Sequence, residues 1–132
     1  MAREATAEIR VRYPEVDRMG VVHHRVHFVW FEIGRTELLR QAGQTYAEVE
    51  SQGIYLPVVA ASCAYHAPAR YDEVLTVRAS LSGMTAARAT FDYRIERRAD
   101  GALLAAGSTT HAAVDATGRP RRLPDSLRRL LD

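Results

Sequence analysis

Tyr13-Pro-Glu-Val-Asp17-Arg-Met-Gly20-Val-Val-His-His24 runs straight into a stretch, His24 to Ala42, whose apolar residues recur at helical spacing. Phe28, Phe31, Arg35, Leu38 and Ala42 form one stripe. Val26, Val29, Trp30 and Ile33 broaden it until the first half of the helix is apolar on nearly every side. Such a helix is expected to be wrapped by other structure rather than to lie on a surface. Gly43 is its expected C-cap. Ahead of it, a Gly-containing loop sets the Asp17 carboxylate at a helix N-terminus, where unpaired N–H groups and the positive dipole end favour developing negative charge. A carboxylate there serves as base or nucleophile towards whatever those donors polarise. The alternative is a plain turn or helix cap.

On the N-terminal side, residues 7–13 alternate: Ile9, Val11 and Tyr13 on one face, Glu8, Arg10 and Arg12 on the other. That predicts a half-buried strand ended by Pro14. On the C-terminal side a short helix is expected from Tyr46 to Gln52, stopped at Gly53. A long apolar strand is expected over residues 55–66, bent at Pro57, and the segment Pro68-Ala-Arg-Tyr-Asp72 turns the chain. Leu75, Val77, Ala79 and Leu81, then Phe91, Tyr93 and Ile95, alternate with polar residues as strands do. Asp100-Gly101 is a hairpin signal, residues 103–114 form the last strand, and Asp115 to Gly118 make a loop. A short terminal helix follows Pro124. One strand, one buried helix and four more strands, with no repeat or linker, make a single α+β domain over 1–132: a five-stranded antiparallel sheet around a long central helix. The sheet keeps an exposed edge, which invites pairing with a second copy.

The composition removes several classes of function. Apolar residues are 47% and charged residues 26% of the 132, an ordinary globular balance. All 18 cationic side chains are Arg, and the net charge of +2 is too small for a nucleic-acid protein. The single cysteine, Cys63, excludes an intrachain disulfide framework. No apolar run approaches a membrane span and the N-terminus lacks a signal-type apolar region, so the chain is expected to be soluble and cytoplasmic.

Other constellations compete with Asp17. His23 and His27 stand at i, i+4, a spacing that pairs metal ligands on a helix, but position 24 is His where a metalloprotease-type site has Glu, so no metal is expected. Cys63 and His66, three apart on a strand, face opposite sides, which leaves Cys63 as a small core residue. Glu32 and Arg35 are expected either to satisfy each other or to serve a dimer interface. Asp72 is assigned a structural role. Arg88, beside the fourth strand, and Arg119, Arg121 and Arg122 are the basic groups suited to phosphate recognition.

The chain resembles the hotdog-fold acyl-CoA thioesterases, in the group of 4-hydroxybenzoyl-CoA thioesterase and the Tol-Pal-associated thioesterases. The resemblance is carried by the Tyr13–His24 segment and by Trp30-Phe-Glu-Ile-Gly34-Arg-Thr-Glu-Leu-Leu-Arg40. Gly53-Ile-Tyr-Leu-Pro-Val58, Pro68-Ala-Arg-Tyr-Asp-Glu-Val-Leu75 and Phe91-Asp-Tyr-Arg-Ile95 extend it. It implies a homodimer or a dimer of dimers with active sites between subunits, and no cofactor beyond the coenzyme A of the substrate. It implies Asp17 as the catalytic carboxylate, with His24 at the helix start where a backbone N–H polarises the thioester carbonyl. Tyr13 and Gly20 then line the substrate site, and Arg88 and Arg121 hold the nucleotide. The sequence departs from the family pattern at His27, where Tyr is expected, and at His23, where Tyr or Trp is usual; both departures bear on acyl preference. Two rivals are a hotdog dehydratase using His24 or His27 as base, against which the Asp17 loop argues, and a non-catalytic acyl-CoA-binding or partner protein.

Overall fold

The computed structural model describes residues 3–131. Five strands, β1 (Glu4–Arg10), β2 (Val58–Tyr65), β3 (Val74–Met84), β4 (Arg88–Arg97) and β5 (Leu103–Ala112), make one antiparallel sheet in the order β1-β3-β4-β5-β2. Alternation decides its faces. Leu75, Val77, Ala79 and Leu81 of β3 and Ala89, Phe91, Tyr93 and Ile95 of β4 are buried, and the central helix α1 (Val26–Gln41) packs on that side. The opposite face is polar and carries ion pairs, Arg78 with Glu96 at 2.6 Å and with Glu4 at 3.2 Å, and Arg98 with Glu8 at 2.9 Å. This is the sheet-around-a-helix arrangement that the hotdog resemblance implies.

The 16-residue helix, about 24 Å long at 1.5 Å per residue, is seated by Phe31. Its ring stacks on Tyr93, with centroids 4.4 Å apart, and lies over Gly107 of β5. A Cβ added to Gly107 would come within 2.8 Å of the Phe31 ring and collide with the Ser62 carbonyl. Gly43 closes the helix with φ +83° as expected. A second helix, α2 (Tyr46–Ser51), starts at Thr45, whose hydroxyl accepts from the Glu48 N–H at 3.3 Å. The terminal helix is 3-10, Asp125–Leu131, with Leu127 and Leu130 buried.

Four expectations are corrected. The first strand ends at Arg10, not Tyr13, because Pro14 starts a 3-10 turn over Tyr13–Glu15 and the Glu15 carboxylate folds back to accept the Arg12 N–H at 2.7 Å. The strand expected over residues 55–66 begins only after Pro57, and Cys63 alone among its residues is half-buried. The helix is not covered on every side: Val29 and Ile33 are 47% and 41% exposed. Finally, Glu32 and Arg35 are not paired.

Glu32 faces outward, while the buried Arg35 guanidinium donates to the hydroxyls of Tyr46 and Tyr93. From Tyr93 the bonds continue to Thr109 at 2.6 Å, on to His111 Nε2 at 2.9 Å, and from His111 Nδ1 to the Leu56 carbonyl at 2.9 Å. With the His111 imidazole held below its usual range by burial and so neutral, the Leu56 end fixes the direction of this chain. A carbonyl only accepts, so Nδ1 of His111 carries the proton, Nε2 accepts from Thr109, and Thr109 accepts from Tyr93.

Among the described residues no helix is long and apolar enough to cross a membrane.

Candidate active site

Asp17 stands in a tight turn of its own making. Its N–H donates to the Val21 carbonyl at 2.8 Å and its carbonyl accepts from the Gly20 N–H at 2.9 Å. Gly20 completes the turn at φ +79°, a left-handed conformation that favours glycine. One carboxylate oxygen, Oδ1, accepts from the Met19 N–H at 2.8 Å and more distantly from Val21 at 3.4 Å. Oδ2 makes no hydrogen bond among the described residues. The capping reading and the chemical reading therefore use different oxygens of one residue.

The same turn aims the chain into α1. Val22 pairs with Val16, and the His23 N–H donates to the Glu15 carbonyl at 2.9 Å. The His23 carbonyl accepts from the Val26 N–H at 3.0 Å, so it points along the new helix. In a trans peptide the N–H lies opposite the carbonyl, which sends the His24 N–H back out of the helix start. It finds no acceptor among the described residues, as the first donors of a helix do not.

Asp17 and His24 line one cavity of about 380 Å³, with His27, Tyr65 and His66 among its other walls. His27 is buried and its ring meets Tyr65 edge-on, centroids 4.7 Å apart. Burial, and then the proximity of His24, hold the His27 imidazole below its usual range against the backbone bonds it makes. Its Nδ1 lies 3.3 Å from the His24 carbonyl and is the donor there. The Tyr65 hydroxyl donates to the same carbonyl at 2.7 Å. The His24 ring is exposed and stacks on His23 at 4.2 Å.

Tyr13 and Gly20 fall on the other side of Asp17. They line a second opening of about 580 Å³, shared with Arg18 and Tyr71. Tyr13 is 76% exposed and packs edge-on against Tyr71 at 5.6 Å.

The two arginines expected to hold the nucleotide are not beside Asp17. Arg88 pairs with Ala112 at one end of β5, while Tyr65 pairs with Ala105 seven residues away, roughly 23 Å at 3.3 Å per residue. Arg121 joins the Arg88 end: its N–H donates to Ala113, and its guanidinium reaches the Gly53 carbonyl at 3.4 Å. A cavity of about 700 Å³ lies beside it, between Tyr46, Tyr55 and Asp115.

Sequence reasoning did not assign Tyr65 or His66 to the site. Both come from β2 and the turn after it, and nothing local marks them as neighbours of residue 24.

Comparison with known proteins covers most of the chain. The model of a family described as the thioesterase-like superfamily matches residues 11–131. The Bacillus subtilis protein YneP is 35% identical over 108 residues, 82% of this chain and 78% of that one. The Escherichia coli acyl-CoA thioester hydrolase YbgC is 30% identical over 120 residues, covering 90% of this chain and 89% of that one. Among solved structures, the Thermus thermophilus protein TT1821 is similar with a TM-score of 0.88 and 41% identity, over 96% of this chain and 97% of that one.

Proposed function

For a chain that belongs to the thioesterase-like superfamily, among its hotdog acyl-CoA thioesterases, we propose that Asp17 attacks or activates water at the thioester carbonyl while the His24 N–H polarises it. The protein is a thioester hydrolase. The observation that carries them is the cavity where the Asp17 carboxylate and the open N-terminus of α1 meet. The thioester oxygen gains negative charge as it is attacked, and a preorganised N–H is worth most at that moment. Oδ2 of Asp17 is the reacting oxygen, either removing a proton from water or forming a mixed anhydride directly. Coenzyme A enters as part of the substrate, and these steps call on no other group. A cytoplasmic location goes with such a substrate.

The nucleotide is assigned to Arg88 and Arg121, and Tyr13 and Gly20 to the approach to Asp17. The assignment requires two subunits. A twofold pair joined along the β2 edge has its two edge strands antiparallel, so the Val58 end of one lies beside the Tyr65 end of the other. Arg88 of the partner subunit then stands on the Asp17 side of the interface. The half-exposed β2 and the uncovered Val29 and Ile33 support a homodimer of this kind, or a pair of such dimers.

Thiol release from acetyl-, hexanoyl-, palmitoyl- and benzoyl-CoA tests the reading. Asp17→Asn keeps an oxygen for the Met19 and Val21 N–H groups and removes the base, so turnover should fall on the order of 10²–10⁴-fold without loss of fold. A wild type that frees no CoA from any of the four ends the thioesterase reading. Full activity in Asp17→Asn ends the mechanism and leaves the enzyme class standing.

A further inference from the structure

The peptide that follows His24 is held from three directions by side chains. Its carbonyl accepts from the Tyr65 hydroxyl at 2.7 Å and from His27 Nδ1 at 3.3 Å. Its N–H, that of Arg25, donates to His23 Nδ1 at 3.2 Å. Arg25 is the helix N-cap residue, and its own side chain makes no capping bond. The usual Ser, Thr, Asp or Asn cap is missing, and the first peptide of α1 is anchored by neighbours instead.

We infer that His23, His27 and Tyr65 form a clamp on the His24–Arg25 peptide, as positioning residues for the N–H that polarises the thioester carbonyl. The inference rests on the assignment of that N–H under Proposed function. Its physical basis is the short coupling between adjacent peptide planes: holding the 24–25 plane restricts ψ of His24 and, through the Cα, the direction of the 23–24 plane that carries the donor. Preorganisation of this kind matters because a donor that must reorient during attack contributes less than one already aimed. Tyr65 also ties the helix start to the edge strand β2, 41 residues away in the chain.

The clamp dictates two different tautomers. A backbone N–H can only donate, so His23 Nδ1 must be bare and its proton on Nε2. A carbonyl can only accept, so His27 must carry its proton on Nδ1. Two histidines four residues apart in opposite tautomers are not expected of solvated rings or of packing alone.

The tautomers are read by ¹⁵N NMR of the imidazoles in the intact protein, which needs no substrate. The expected spectrum has His23 protonated on Nε2 and His27 on Nδ1; either assignment reversed overturns the clamp. Kinetics then test its role with the best substrate of the four acyl-CoAs. His23→Ala should lower kcat on the order of tenfold, the loss of about one hydrogen bond's worth of alignment, with KM little changed. His23→Asn, whose Oδ1 occupies the place of Nδ1, should restore most of it. Tyr65→Phe should behave like His23→Ala. Circular dichroism confirms that each variant is folded. An unchanged kcat in His23→Ala, or no rescue by Asn, overturns the positioning role. A wild type without thioesterase activity sinks the functional reading, and the tautomer spectrum still decides the clamp.

Discussion

Arg35 carries a charge that no carboxylate among the described residues pairs with. It sits in the core with two tyrosine hydroxyls as acceptors, and its bonds pass through Tyr93 and Thr109 to a neutral His111. Protonating His111 would make Nε2 a donor and force Thr109 to turn its hydroxyl towards Tyr93. The Tyr93 proton would then lose its protein acceptor in the core, a cost of about 1–3 kcal/mol. Burial first, and the Arg35 charge as well, hold the His111 imidazole below its ordinary range; His27 is lowered by burial too. Between the folded and unfolded values the unfolded chain binds more protons, so stability rises with pH there. Full stability is therefore expected above the unfolded value of 6.5 and is lost as pH falls through the lowered folded values. Thermal melts between about pH 8 and pH 5 should show this slope, and His111→Asn should flatten it while leaving the share due to His27. An identical slope in the variant would remove His111 from the account.

At the scale of elements, the seat of α1 on the sheet depends on one missing side chain. Gly107→Ala puts a methyl group against the Phe31 ring and the Ser62 carbonyl. The helix or β2 must then shift, a cost of about 1–3 kcal/mol, which urea unfolding would measure. A neutral Gly107→Ala would mean that the contact relaxes freely. The elements legible in the sequence were those whose two environments lie within one chain. β3 and β4 alternate because one face meets α1 and the other meets water, and Gly43 and Thr45 bracket the helices with local chemistry. The β2 segment misled for the opposite reason. Its run of apolar residues predicts cover, and the cover is absent from a single chain. Tyr13 misled because Pro14 outranks alternation, and Arg35 because its partners Tyr46 and Tyr93 come from other elements. The candidate site divides the same way. Asp17, Gly20 and His24 fall within eight residues and were readable together. Tyr65 and His66 reach the cavity only through the pairing of β2 with β5.

For the whole molecule, the separation of Arg88 and Arg121 from Asp17 predicts complementation. Asp17→Asn removes the carboxylate proposed to react, and Arg88→Ala/Arg121→Ala removes the side chains proposed to hold the nucleotide, so each assembly alone should be poorly active. Exchanged subunits would carry one intact site per mixed dimer, returning up to about a quarter of wild-type activity at random pairing. No recovery after verified exchange would place the whole site in one chain. The half-buried Cys63 on β2 has a consequence for that experiment. It is the chain's sole sulfhydryl, so a colorimetric count of liberated CoA carries a background of at most one equivalent per protomer. Burial pushes the Cys63 thiol up, which slows its reaction with such reagents. In the proposed dimer its labelling rate gauges the edge: slower where a second β2 covers it, faster as dilution separates the pair.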